Sequence, residues 1–79
     1  MSQTTTVAAV ARLLNVKVNG QPQSMPVGST LAELVDALSL APESIATAVN
    51  GEFIARHRRA LQPLQTGDSV GFFQAIVGG

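Results

Sequence analysis

The sequence predicts an α+β domain in which a mixed sheet wraps a single helix. Three observations carry this expectation. First, short runs of alternating apolar and polar residues are punctuated by two Asn-Gly pairs, Asn19-Gly20 and Asn50-Gly51. That dipeptide is the favoured two-residue hairpin turn, because both positions take positive φ readily. Second, one stretch has helical spacing: Leu31, Leu34, Val35 and Leu38 fall at i, i+3, i+4 and i+7. One helix covers one face of a sheet. Third, 79 residues that are 46% hydrophobic and 13% charged allow one core and argue against a disordered chain.

Each element follows from local chemistry. Met1 to Ala11 is rich in Ser, Thr and Ala and reads as a flexible extension preceding a domain at 12–79. It lacks the arginines of a transit peptide and the long apolar centre of a secretory signal. In the first strand, Leu13 to Val18, the residues Leu14, Val16 and Val18 share one face. After Asn19-Gly20 the chain returns over Gln23 to Val27, where Pro26 marks a sheet edge or a strand end. Thr30 with Glu33 three residues on has the spacing of a capping box. The helix they start is about ten residues long, too short to be stable without a sheet to pack on. Leu40, Ala41 and Pro42 end it.

Ile45 to Val49 forms the third strand, and Asn50-Gly51 turns it into a short segment, Glu52 to Ala55. A polar turn follows, Arg56-His57-Arg58-Arg59, and then Leu61 to Leu64 with Pro63 inside it. Gly67-Asp68 makes a tight turn into the last strand, Val70 to Ile76, expected at the sheet centre. With Val70 and Phe72 on the core side, Gly71 and Phe73 face outward, because strand side chains alternate.

Composition narrows the function. The formal net charge is zero and there is no Cys, Trp or Tyr. Disulfides, thiolate catalysis and cysteine-held metal centres are excluded. No apolar run approaches the ~20 residues of a membrane span. His57 is a lone imidazole between arginines and makes a poor metal site. The serines lack the context of a nucleophile elbow. Gly28-Ser29-Thr30 lacks the lysine and further glycines of a phosphate loop, so capping accounts for it. Arg56, Arg58 and Arg59 read as a solvated turn or as a contact for RNA or an acidic partner. With no Tyr or Trp for stacking and no basic field, a protein partner is preferred to nucleic acid. The outward Phe73 offers an apolar docking patch beside Gly71, unless residues 1–11 or a loop cover it.

The chain closes on Gln74-Ala75-Ile76-Val77-Gly78-Gly79. Two glycines without Cβ enter narrow, flat spaces. An ionised α-carboxylate is a usable nucleophile, with a reference pKa of roughly 3.3–3.7. Extended, these six residues reach about 20 Å, enough to enter another protein's active site. The bland alternative is a frayed end.

Taken together, the residues resemble the ThiS family, small ubiquitin-like sulfur carriers of thiamine biosynthesis. The matching pieces are Val18-Asn19-Gly20, Gly28-Ser29-Thr30-Leu31-Ala32-Glu33-Leu34, Val49-Asn50-Gly51-Glu52-Phe53-Ile54 with Arg56, Gly67-Asp68, and the closing Gly78-Gly79. They occur in the family's order across residues 13–79. The chain departs from the family pattern at Arg58-Arg59, where a tryptophan and an acid are common, and at Gly71, where a larger residue is usual. The resemblance implies a β-grasp fold and a cytoplasmic carrier that is not itself an enzyme. A ThiF-like adenylyltransferase would adenylate Gly79 with ATP and magnesium, neither held by the carrier. A sulfur donor such as a cysteine desulfurase would convert the acyl-adenylate to a thiocarboxylate, and thiazole synthase would take the sulfur. Under this reading no side chain is catalytic and no metal, nucleic acid or membrane is bound. Gly79 reacts, Gly78 gives access, and Phe73, Ile76, Val77 and Arg56 are the docking candidates. The alternatives are a molybdopterin-synthase small subunit, another ubiquitin-like carrier or modifier, or a β-grasp binding module.

Overall fold

The computed structural model describes residues 12–74. Their elements are β1 (Leu13–Val18), β2 (Gln21–Pro26), α1 (Leu31–Ala37), β3 (Ile45–Val49), β4 (Glu52–Ile54) and β5 (Ser69–Gln74). Two 3₁₀ segments, Pro42–Ser44 and Arg56–Leu61, complete the path. The strands form one five-stranded sheet in the order β2-β1-β5-β3-β4. Two antiparallel hairpins, β1–β2 and β3–β4, are joined by β5, which runs parallel to β1 and antiparallel to β3. The last strand is central, as its apolar sequence predicts.

The alternation expected of β1 holds: Leu14 and Val16 are buried, while Leu13, Asn15 and Lys17 are exposed. With Met25, Val49 and Val70 from the sheet, Leu31 and Leu34 from α1, and Leu64 from the final loop, they make the core. Leu31 and Leu34 have no exposed surface. Each contributes on the order of 1.5–3 kcal/mol relative to an exposed side chain. No helix among the described residues is long and apolar enough to cross a membrane.

Element boundaries differ from the sequence reading in physically explicable ways. The second strand runs Gln21–Pro26 rather than 23–27, because the two-residue turn lets Gln21 pair directly with Val18. Its prolines, Pro22 and Pro26, lie on the sheet edge, where no ladder donor is needed. The helix begins as expected. Thr30 Oγ1 accepts from the Glu33 amide at 3.3 Å, and Glu33 Oε1 accepts from the Thr30 amide at 2.8 Å. It is, however, seven residues long, because Ser39 turns into the left-handed region (φ 58°). The Leu40 amide then donates to Val35 O at 3.2 Å and the Ser39 amide to Asp36 O at 3.0 Å. This is the Schellman stop, with serine where glycine is usual.

The fourth strand ends at Ile54, with Ala55 capping the 3₁₀ helix that replaces the expected polar turn. The last strand begins one residue early, at Ser69 opposite Lys17, and is described as far as Gln74. The expected extension 1–11 and the residues from 75 on, including the end of the strand at Ile76, lie outside the described residues.

Candidate functional site: the open sheet face and the C-terminal strand

α1 covers one face of the sheet. The other carries side chains whose register is fixed by pairing. Phe73 on β5 lies opposite Ala46 on β3, and Gly71 lies opposite Ala48, which lies opposite Phe53 on β4. Alanines and a glycine therefore form a low floor between two large aromatics. Phe73 is 58% exposed and Phe53 67% exposed. The Phe73 ring folds back along its own strand, so that a Cβ on Gly71 would meet ring carbons at 3.0 and 3.1 Å. The departure at Gly71 thus has a reason: the missing side chain is the seat of the ring. Beside the patch, Glu52, Phe53, Ile54, Ala55, Arg58 and Gln62 line a hollow of ≈ 310 Å³ at the β4 edge.

Phe73 therefore faces outward, uncovered by any described loop, and Phe53 joins it. Phe53 was missed in the sequence, although its pairing across the Asn50-Gly51 hairpin follows from the two-residue turn. Arg56 is not part of this face. It stands at the start of the 3₁₀ helix on the α1 side, where it lines a hollow of ≈ 140 Å³ with Ala32 and Val35. Its nearest acid, Glu43, is 4.0 Å away with both side chains more than 60% exposed, a pair of little energetic weight. His57 and Arg58 are exposed on the same helix. The docking candidates Ile76 and Val77, and Gly78 and Gly79, lie outside the described residues.

The reading of Arg56, Arg58 and Arg59 as one solvated cluster is corrected by the structure. Arg59 is only 4% exposed. Its Nη2 donates to Ile45 O at 2.7 Å, Nη1 to Pro42 O at 2.9 Å and Nε to Thr47 Oγ1 at 3.1 Å. Thr47 is itself buried, and its hydroxyl passes the chain on to Ile54 O at 2.9 Å. Burial, and secondarily the neighbouring Arg56 guanidinium, lowers the Arg59 pKa from its ordinary value. The planar fork of donors lets one side chain tie the 3₁₀ helix to the start of β3. Arg59 is therefore a structural tie, and two arginines of the three remain for any partner.

The two Asn-Gly turns do more than reverse the chain. Both asparagines sit at positive φ, 50° for Asn19 and 52° for Asn50. Each also turns its amide onto β5. Asn50 Oδ1 accepts from the Ser69 amide at 2.9 Å, and its Nδ2 donates to Asp68 Oδ1 at 3.0 Å. Asn19 Oδ1 accepts from the Phe72 amide at 2.9 Å, and its Nδ2 makes a longer contact with Phe72 O at 3.4 Å. Pairing of β5 with β3 and with β1 meets at Val70. Asn50 extends the first ladder backwards and Asn19 extends the second forwards.

A five-stranded mixed sheet gripping one helix, with the last strand at its centre, places the molecule among the ubiquitin-like β-grasp domains. Comparison with known proteins narrows this further. The chain belongs to the ThiS family, whose sequence pattern matches residues 16–79. It is 30% identical over 66 residues to the sulfur carrier protein ThiS of Escherichia coli (strain K12), a match that covers 84% of this chain and all of that protein. It is also similar to a crystal structure of the thiamine biosynthesis protein ThiS from Geobacter metallireducens. That match has a TM-score of 0.73 at 30% identity and covers 84% of this chain and all of the other. The solution structure of a thiamine biosynthesis protein from the same organism matches with a TM-score of 0.64 at 30% identity, over 84% of this chain and 88% of its own.

Proposed function

We propose that this chain is a sulfur carrier of thiamine biosynthesis, a protein co-substrate with no catalytic side chain of its own. The observation that carries the reading is that the family match runs to residue 79, through Gly78 and Gly79. A Gly79 carboxylate oxygen attacks the α-phosphorus of ATP on an adenylyltransferase partner, and pyrophosphate leaves. The terminal sulfur of a donor persulfide then attacks the acyl carbon and AMP leaves. A thiol reductant cleaves the S–S bond of the resulting acyl disulfide, and a thiocarboxylate remains for thiazole synthase. ATP and magnesium belong to the partner, and the ATP requirement suits a cytoplasmic setting. Gly78 lets the tail enter a narrow channel. The open face around Phe73 docks the partner, Ile76 and Val77 of the tail are further docking candidates, and Arg56, on the α1 side, is left for a separate contact.

The test is intact mass after incubation with the activating enzyme, ATP and a sulfur donor. The native chain gains the difference between sulfur and oxygen. Chains lacking Gly79 gain nothing while keeping their fold by circular dichroism. Sulfur transfer that persists without Gly79 overturns the proposal. Supplying thiazole synthase in parallel with the large subunit of a molybdopterin synthase then identifies the recipient.

A further inference from the structure

We infer that Asn19 is a positioning residue for the reacting tail, an inference that rests on the carrier reading. β1 ends opposite Val70, but β5 continues for four more residues. On the β3 side those residues stay paired, through Ile45 and Gln74. On the β1 side the strand partner is gone among the described residues, and the Asn19 side chain takes its place. The Asn19 amide donates to Val70 O at 2.9 Å, and Oδ1 accepts from the Phe72 amide at 2.9 Å. A side-chain amide here imitates the next peptide group of β1 and lengthens a two-sided ladder by one step.

Among the described residues, this step is the last hold on that side before Gln74. It also fixes the Phe72 peptide, and so the plane from which Phe73 projects onto the open face. Without it, residues 71–74 are held, among the described residues, from the β3 side only, and such segments open locally at low free energy. A partner must then reorder the strand before the tail can be threaded, and the entropy of ordering opposes that. The asparagine needs both its properties: the left-handed backbone makes the turn, and the amide makes the clamp. Glycine supplies only the first and aspartate keeps the acceptor, so the two roles separate cleanly.

The experiment compares the native chain with Asn19→Gly and Asn19→Asp. Three quantities are read: the urea midpoint, hydrogen exchange at the Phe72 amide, and the rate of thiocarboxylate formation with the activating enzyme, ATP and a sulfur donor. In Asn19→Gly the midpoint falls only by the equivalent of one net hydrogen bond, which leaves the chain folded, Phe72 exchanges about five- to tenfold faster, and transfer slows by a similar factor. Asn19→Asp recovers most of both, because the 2.9 Å contact uses the oxygen. Native exchange and native transfer in Asn19→Gly overturn the proposal, as does a transfer loss that merely follows a loss of global stability. If the native chain accepts no sulfur, the carrier reading falls and the positioning role falls with it. The exchange measurement then still decides whether the clamp exists.

Discussion

Replacing Arg59 with methionine tests whether its guanidinium is a structural tie. Methionine retains most of the side chain's bulk and removes all three donors. The acceptors at Pro42 O and Ile45 O then lose partners that sit 2.9 and 2.7 Å away. An unsatisfied buried acceptor costs about 1–3 kcal/mol. Pro42 is exposed and Ile45 only half-buried, so water restores part of the loss and the lower end applies. Thr47 Oγ1 keeps its bond to Ile54 O but loses the Nε donor. Against this, removing a desolvated charge is favourable. The balance is a loss of about 2 kcal/mol, a large share of the roughly 4–12 kcal/mol expected of a chain this size. In a thermal melt that is a fall of about 8–16 °C. Arg59→Lys recovers only part, because a single ammonium cannot reach three acceptors arranged around a planar fork. Arg58→Met is the control: the side chain is exposed, and the change stays within about 0.5 kcal/mol. If Arg59→Met and Arg58→Met melt within about 2 °C of one another, the assignment of Arg59 as a tie is wrong.

Other substitutions test separate parts of the argument. Thr30→Ala removes the capping box and is expected to cost about 1 kcal/mol by urea unfolding, with α1 retained by its buried leucines. Ser39→Gly relieves a left-handed serine, and the melting midpoint is expected to rise by an amount equivalent to about 0.5–1 kcal/mol. Gly71→Val places a Cβ where the Phe73 ring now lies. Because the ring is the far end of a flexible side chain, stability is expected to hold or rise by up to about 1 kcal/mol. Affinity for the activating enzyme, measured by calorimetry, should nevertheless fall. Unchanged affinity would remove the open face from the docking reading.

The sequence disclosed most of the fold because its signals were local. Asn-Gly pairs, strand alternation and the Thr30–Glu33 box each act within a few residues, and β1, β3 and the start of α1 fell where they pointed. The helix stop was misplaced because Pro42 is the louder signal, while Ser39 adopts a conformation that serine rarely takes. Arg59 was illegible for a different reason. Nothing nearby distinguishes it from Arg58, and its three acceptors lie 12 to 17 residues away in the chain. The asparagine amides were hidden likewise, since positive φ alone accounts for Asn-Gly in a turn. For the candidate site, Phe73 could be read from strand period. The floor of Ala46 and Ala48 needed the register of three strands, which no single stretch records.

The central seat of β5 has a consequence for biosynthesis. Both hairpins emerge from the ribosome before the strand that joins them, so neither can complete its core until Ser69–Gln74 is available. A nascent chain halted earlier is left as two small sheets with exposed apolar faces, an easy substrate for quality-control proteases. Whatever survives as a folded globule has already been translated to the threshold of its tail.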